Sequence, residues 1–295
     1  MNSSPIAHKQ TLPGPGPATP KNLPISALYA DVMSSFSSHD LPDSSGHYAR
    51  LASNYDLLWE HTQEFREWMA TQMLDIAALP PNPVIADIGG GTGIYAAELL
   101  QLLDNQASVL VLDPSAEMLA QVPILPHTRT VHASAEESRS ALEDLEITEV
   151  DLVMIKEAVH HFPAPQATLG DLSRLVGPGG AMLIVMLPTR IEYPLFPEAL
   201  ERFTHLQPDP STIASFLSES GLDTTRETRG FTLNLTRRHW RQMVSNRFMS
   251  LLSTFDDEEL ARGLSQIDDR LGDADHVTFR DNFEFICGRR PVVEF

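Results

Sequence analysis

The segment Val84-Ile85-Ala86-Asp87-Ile88-Gly89-Gly90-Gly91-Thr92-Gly93 is an apolar run that ends in an acid and then in a glycine cluster. Glycine accepts positive φ and lets a backbone approach a bound molecule with no Cβ in the way. The following residues, Ile94 to Leu103, have helical composition and no proline, so the glycines sit between a strand and a helix N-terminus. Unpaired amides at such a terminus face whatever ligand the turn holds. A second acid, Asp113, closes the next apolar run, Ser108 to Leu112, twenty positions after Gly93. A nucleotide-binding α/β sheet places at that distance the carboxylate that accepts hydrogen bonds from ribose hydroxyls.

These residues need a scaffold that brings strand ends together. From Val84 to Pro188 strand-like apolar runs alternate with helical segments, which predicts a parallel sheet covered by helices on both faces. Further on, Ser211 to Ser220 reads as a helix, Leu222 to Leu235 as strand-like pieces, and Phe283 to Cys287 as a final alternating strand. Thr236 is placed to cap a helix running to about Leu252, with Trp240, Met243, Val244, Arg247, Phe248 and Leu251 on one face. The acids of Thr254 to Leu260 favour another helix start, followed by Leu260, Leu264, Ile267 and Leu271 on one side. Before the first strand, His47 to Leu79 reads as a helical stretch whose Tyr48, Leu51, Tyr55, Leu58 and Trp59 share an aromatic-rich face. The chain thus divides into a flexible Pro-rich tail (1–24), an N-terminal helical lid (25–79), a core that binds the ligand (80–188), and helices and strands completing the same sheet (189–295).

At 295 residues with 42% hydrophobic content, the chain can bury one substantial core. Its formal net charge of −19 would repel a nucleic acid, and the densest basic segment, Arg237-Arg238-His239-Trp240-Arg241, is too short to track a phosphate backbone. No apolar run is long enough to span a membrane and the N-terminus lacks an apolar h-region, so a cytoplasmic enzyme is expected. The single cysteine, Cys287, reads as a small hydrophobe of the last strand. Metal binding finds little support, since cysteine pairs are absent and His160 and His161 would point apart if extended. Oligomeric state is open, a homodimer included, because an aromatic helical face serves a dimer as readily as a pocket.

The pattern Asp-x-Gly-x-Gly-x-Gly at Asp87 to Gly93, followed by Asp113, resembles the class I S-adenosylmethionine-dependent methyltransferases. Later landmarks of that family follow in order, over roughly residues 48 to 188: Asp113-Pro114-Ser115-Ala116-Glu117-Met118-Leu119, Asp151 to Phe162, and Gly177-Pro178-Gly179-Gly180 before Ala181 to Met186. The resemblance implies a doubly wound, Rossmann-like α/β fold with a seven-stranded, mostly parallel sheet, an N-terminal helical lid and a helical insertion before the last strand. It implies S-adenosylmethionine as cofactor, S-adenosylhomocysteine as product, and in-line methyl transfer to a small-molecule acceptor. By the same resemblance Asp87 and the turn through Gly89, Gly91 and Gly93 hold the methionine moiety, Asp113 takes the ribose hydroxyls, and Pro114 and Met118 lie against the adenine. Where many relatives have Gly-Asp-Ala, this chain has Ala133-Ser134-Ala135, so a hydroxyl at Ser134, next to Ala135, replaces a carboxylate at the adenine edge. Lys156 approaches the methionine end, and Tyr48 or Tyr55 of the lid the reacting end.

At the end of the fourth strand, His160 or His161 is a candidate general base, with packing and hydrogen bonding as the alternative role. Arg247, on an apolar stripe, must be paired: either with an internal carboxylate or, together with Arg241, with a carboxylate of the acceptor. In the second case the acceptor is a small acid or amino acid. Three other readings compete. Gly91 to Ala96 satisfies the dinucleotide pattern G-x-G-x-x-A of dehydrogenases, against which Asp87 and the later landmarks stand. A protein or other macromolecule is an alternative acceptor, and a non-methylating task is an alternative use of the cofactor.

Overall fold

Strands β1 (Val84–Ile88), β2 (Ser108–Asp113), β3 (Thr128–His132), β4 (Val150–Lys156), β5 (Val176–Met186), β6 (Asp223–Thr236) and β7 (His276–Arg289) form one sheet in the order β3-β2-β1-β4-β5-β7-β6. This is a computed structural model, and it describes residues 62–104 and 106–292. The first five strands run parallel, while β7 is antiparallel to both of its neighbours, β5 and β6. The direction of winding reverses between β1 and β4, and ligands of open α/β sheets bind at the carboxyl ends beside such a switch.

Alternate residues of the central strands enter separate cores, as a sheet covered on both faces requires. Ile85, Leu152, Met154, Leu183 and Val185 face one layer, and Ala86, Val153, Ile155, Met182 and Ile184 the other. The first layer holds α1 (Gln63–Ala77), α2 (Ile94–Leu102), α6 (Pro197–Leu206), α8 (Arg237–Ser245) and α9 (Asp257–Leu271). The second is covered by α4 (Ser138–Glu143), α5 (Pro165–Leu172) and α7 (Pro210–Glu219), while the short α3 (Ala116–Leu119) follows β2. Arg66 of α1 and Glu98 of α2 form an ion pair at 2.9 Å, and Arg289 of β7 donates to the carbonyls of Ile76 and Ala77 where α1 ends. The seven strands and the doubly wound layers match the expected fold class.

The β6–β7 ribbon is longer than the sequence pattern indicated. It pairs continuously from Asp223 with Arg289 to Thr236 with His276, whereas β5 meets β7 only from Ala181 to Met186. Residues His276 to Phe283 of β7 therefore project past the carboxyl end of β5, on the side where β1 and β4 also end.

The helix expected to reach Leu252 stops at Ser245. Thr236 caps its start, accepting from the His239 amide, but at the far end the amides of Arg247 and Phe248 bond back to the carbonyls of Val244 and Met243. That is a Schellman closure, with Arg247 at φ 55° in the left-handed position that usually holds glycine. Arg247 is thus at a helix end, not on an apolar stripe. The start of α9 matches its pattern, with a capping box between Asp256 and Glu259. Of the helical stretch before β1 only Gln63–Ala77 is described as a helix, and the tail, Tyr48 and Tyr55 lie outside the described residues.

Gly263 sits inside α9, where a Cβ would come within 2.4 Å of the buried Phe196 ring. Alanine there gains about 1 kcal/mol of helix propensity, yet overpacking a filled core costs about 1–3 kcal/mol. Gly263→Ala is expected to lower the unfolding free energy by about 1 kcal/mol in urea titration, the overpacking term outweighing propensity.

Candidate active site

The glycine turn is shaped by β2. After β1 the amides of Gly89 and Gly90 both donate to the carbonyl of Leu112, at 2.8 and 3.0 Å, which folds the turn over the end of that strand. Gly89, Gly91 and Gly93 all have positive φ. Gly90 does not, but a Cβ on it would lie 2.7 Å from both Asp87 Oδ2 and Val111 Cγ1, so it is glycine for want of space. The motif spacing drew attention to its neighbours and gave Gly90 no role of its own. Gly93 stands at the N-cap of α2 in the left-handed conformation and supplies no side-chain cap to that helix.

Asp113 closes the arrangement. Its Oδ2 accepts the Gly91 amide at 3.0 Å and its Oδ1 the Ser115 amide at 2.8 Å. An ionised carboxylate has about four acceptor sites, so each oxygen keeps capacity after these bonds. Burial raises the Asp113 pKa, and the two amides act against that shift. Met118 packs close by, its methyl 3.2 Å from where a Cβ on Gly91 would stand, while Pro114 is exposed. At the end of β3, Ser134 Oγ accepts the Glu137 amide and the Ser134 amide donates to the Glu137 carboxylate. The Ala135 carbonyl accepts the Ser138 amide in the same turn.

The ends of β1, β4 and β7 bring together a charged group that no local motif announces. Lys156 Nζ stands 4.7 Å from the centre of the Tyr95 ring and 5.7 Å from that of Phe283. Around it lie Asp87, Glu157 and Asp281, and burial lowers the Lys156 pKa against the pull of these three acids. Burial in turn raises each acid to about 7; Asp113 adds to the rise at Asp87, and Lys156 opposes it at all three. Asp281 accepts the Tyr193 hydroxyl at 2.8 Å, and both side chains are buried. Asp281 and Tyr193 escaped the sequence reading because only the β6–β7 projection and the chain after β5 carry them to this edge.

Glu157 has φ 53°, a left-handed conformation uncommon for a non-glycine residue. Its amide donates to the Val185 carbonyl at 2.8 Å, and its Oε1 is sealed from solvent without a hydrogen-bond partner. His160 and His161 lie on a short turn, Val159–His161, with ring centres 4.0 Å apart, not pointing apart as an extended pair would. His160 Nδ1 is also sealed without a partner, and burial lowers its pKa to about 4, so the ring is neutral near pH 7.

The two arginines considered for an acceptor carboxylate face internal acids. Arg247 donates to the Phe255 carbonyl and to Asp257, each at 3.0 Å, and Arg241 pairs with Asp268 at 3.0 Å on a half-exposed surface. Among the described residues, no group of three or more His, Cys, Asp or Glu side chains is placed to hold a metal ion, and no helix is long and apolar enough to cross a membrane.

The family profile described as a methyltransferase domain matches residues 58–236, and the chain belongs to that family. It is 28% identical over 171 residues to a ubiquinone biosynthesis O-methyltransferase of Leptothrix cholodnii, covering 53% of this chain and 71% of the relative. A protein of the same name from Cupriavidus pinatubonensis is 29% identical over 213 residues, 65% of this chain and 82% of that one. The plantazolicin methyltransferase BpumL, solved with S-adenosylhomocysteine, shares the fold with a TM-score of 0.55 at 14% identity, over 90% of this chain and 99% of BpumL. The protein is a class I S-adenosylmethionine-dependent methyltransferase, and S-adenosylmethionine is its cofactor.

The acid cluster fixes the sign of a pH effect. Asp87, Glu157 and Asp281 hold protons to about pH 7 when folded, but release them near the ordinary carboxylate value when unfolded. The folded state then binds more protons, so their contribution to stability is present at low pH and is lost as pH rises through about 7. His160 acts in the opposite sense, but only below its ordinary value of 6.5. Denaturant unfolding of the cofactor-free protein is therefore expected to show lower stability at pH 8 than at pH 6.5. Asp281→Asn, which still accepts the Tyr193 hydroxyl, is expected to make that decline shallower.

Proposed function

We propose that this enzyme transfers the methyl group to an oxygen of a small hydroxylated molecule. When bound, the cofactor supplies a methyl group on a positively charged sulfur whose departure leaves a neutral thioether. The residues at the turn suit such a ligand. Gly89, Gly91 and Gly93 take the positive φ that a tight main-chain turn around a ligand needs, Asp113 retains acceptor capacity toward a sugar diol, and the N-terminus of α2 favours a carboxylate. In this reading Asp87 and the glycines of the turn hold the methionine end, Asp113 the ribose, and Met118 with the Ser134–Ala135 turn the adenine side. Ser134 Oγ accepts one amide and keeps a second lone pair and its hydroxyl hydrogen for the adenine edge.

The observation that carries the acceptor reading is the setting of Lys156 and Glu157. Both stand at the carboxyl end of β4, where Lys156 Nζ lies over the Tyr95 and Phe283 rings and Glu157 has Lys156, Asp281 and Tyr193 in its electrostatic neighbourhood. Aromatic walls favour a flat apolar body, and a donor beside an acceptor favours a hydroxyl on it. An acceptor carboxylate finds less support here. Arg247 and Arg241 are taken up by Asp257 and Asp268, and three acids surround the lysine. The O-methyltransferase names of the relatives favour oxygen as the methylated atom, and the net charge of −19 weighs against nucleic acid as substrate.

Two measurements test this reading. Labelled methyl groups are expected in small, acid-soluble products from a panel of catechols and phenols; label confined to acid-insoluble material would contradict it. Asp113→Ala is expected to weaken S-adenosylmethionine binding in calorimetry by about 10- to 100-fold, from the ~1.5–3 kcal/mol of a hydrogen bond to a charged group.

A further inference from the structure

We propose that Glu157 is the residue that takes the proton from the acceptor hydroxyl, in place of His160 or His161. This assignment rests on the oxygen-methylating reading above. Glu157 is held at the end of β4 in a left-handed conformation that ordinarily costs about 1 kcal/mol or more for a side-chain-bearing residue. The bond from its amide to Val185 fixes it there, extending the β4–β5 pairing one residue past Lys156.

The carboxylate has unmet capacity. Oε1 is closed off from solvent and accepts no hydrogen bond. A buried acceptor left unpaired costs about 1–3 kcal/mol, and an incoming hydroxyl would satisfy it. The groups that face Glu157 come from four elements: Lys156 on β4, Tyr95 on α2, Tyr193 and the Leu187 amide after β5, and Asp281 on β7. Asp281 already accepts the Tyr193 hydroxyl, whereas Glu157 Oε1 is closed off with no bond at all.

The alternative bases fit less well. Burial keeps His160 neutral but drives its pKa to about 4, which makes it a weak proton acceptor. Burial raises Glu157 to about 7, where a carboxylate matches proton acceptance near neutral pH. In the step, the acceptor oxygen forms its bond to the methyl carbon as the carbon–sulfur bond breaks and its electron pair returns to sulfur. The hydroxyl proton passes to the Glu157 carboxylate and leaves to solvent after the product. Lys156, beside it, steadies negative charge on the oxygen.

Glu157→Asp and Glu157→Asn provide the test, because Asp and Asn both tolerate left-handed backbone and differ in the ability to take a proton. The assay uses 4-nitrocatechol, 3,4-dihydroxybenzoate and phenol, with S-adenosylhomocysteine affinity measured by calorimetry on each variant. The Asn variant is expected to bind S-adenosylhomocysteine within about threefold of the native protein and to show a kcat about 100-fold below that of the Asp variant at pH 7.5. Its rate is expected to recover at high pH, where the acceptor ionises unaided, and to lack the rise near pH 7 that the native enzyme shows. Equal rates for the two variants overturn the assignment, and so does a loss of S-adenosylhomocysteine affinity that parallels the loss of rate. If the native enzyme methylates none of the three probes, the oxygen-methylating reading fails and this assignment with it.

Discussion

The hydrogen bond from the Gly91 amide to Asp113 ties the two central ideas of this structure together. It joins the turn after β1 to the acid that ends β2, so the main-chain cradle and the nearby carboxylate form one rigid object. The Ser115 amide holds the second oxygen and Leu112 anchors Gly89 and Gly90, which leaves the turn little freedom. A preformed cradle loses less conformational entropy when a ligand arrives. The same bonds make Asp113 structural, and they leave acceptor sites on its carboxylate unfilled, because a carboxylate has more of them than these two amides use.

At the other end of the site the constraint is electrostatic. Three buried acids share one lysine, and burial moves all four groups toward neutrality. The ribbon of β6 and β7 makes this possible. By running past β5 it delivers Asp281, with Phe283, to the edge where β1 and β4 end. Around it, Tyr193 packs with Trp240, Phe248 and Phe279, which keeps its hydroxyl aimed at Asp281.

Much of this was legible in the sequence, for local reasons. The acids Asp87 and Asp113 near the ends of β1 and β2, the glycine turn, the Thr236 cap and the acidic start of α9 are short-range signals, and all take the expected places. The end of α8 was not legible, because its closure puts an arginine where glycine is the usual mark. That one departure turned Arg247 from an apparent member of an apolar stripe into a helix-end residue bonded to Phe255 and Asp257. Gly90 was hidden for a different reason: its requirement is the room taken by Asp87 and Val111, which no spacing rule encodes. Asp281 and Tyr193 depend on contacts far along the chain, and Glu157, which the sequence places beside His160 and His161 at the ligand-binding edge, owes its left-handed angle and its unpaired oxygen to the fold around it.

The most direct measurement is a crystal structure of the protein with S-adenosylhomocysteine bound. The account predicts both ribose hydroxyls within hydrogen-bond distance of the Asp113 carboxylate, with the Gly91 and Ser115 amides still donating to it. A nucleoside seated elsewhere on the sheet edge, or a ribose that does not touch Asp113, would contradict it.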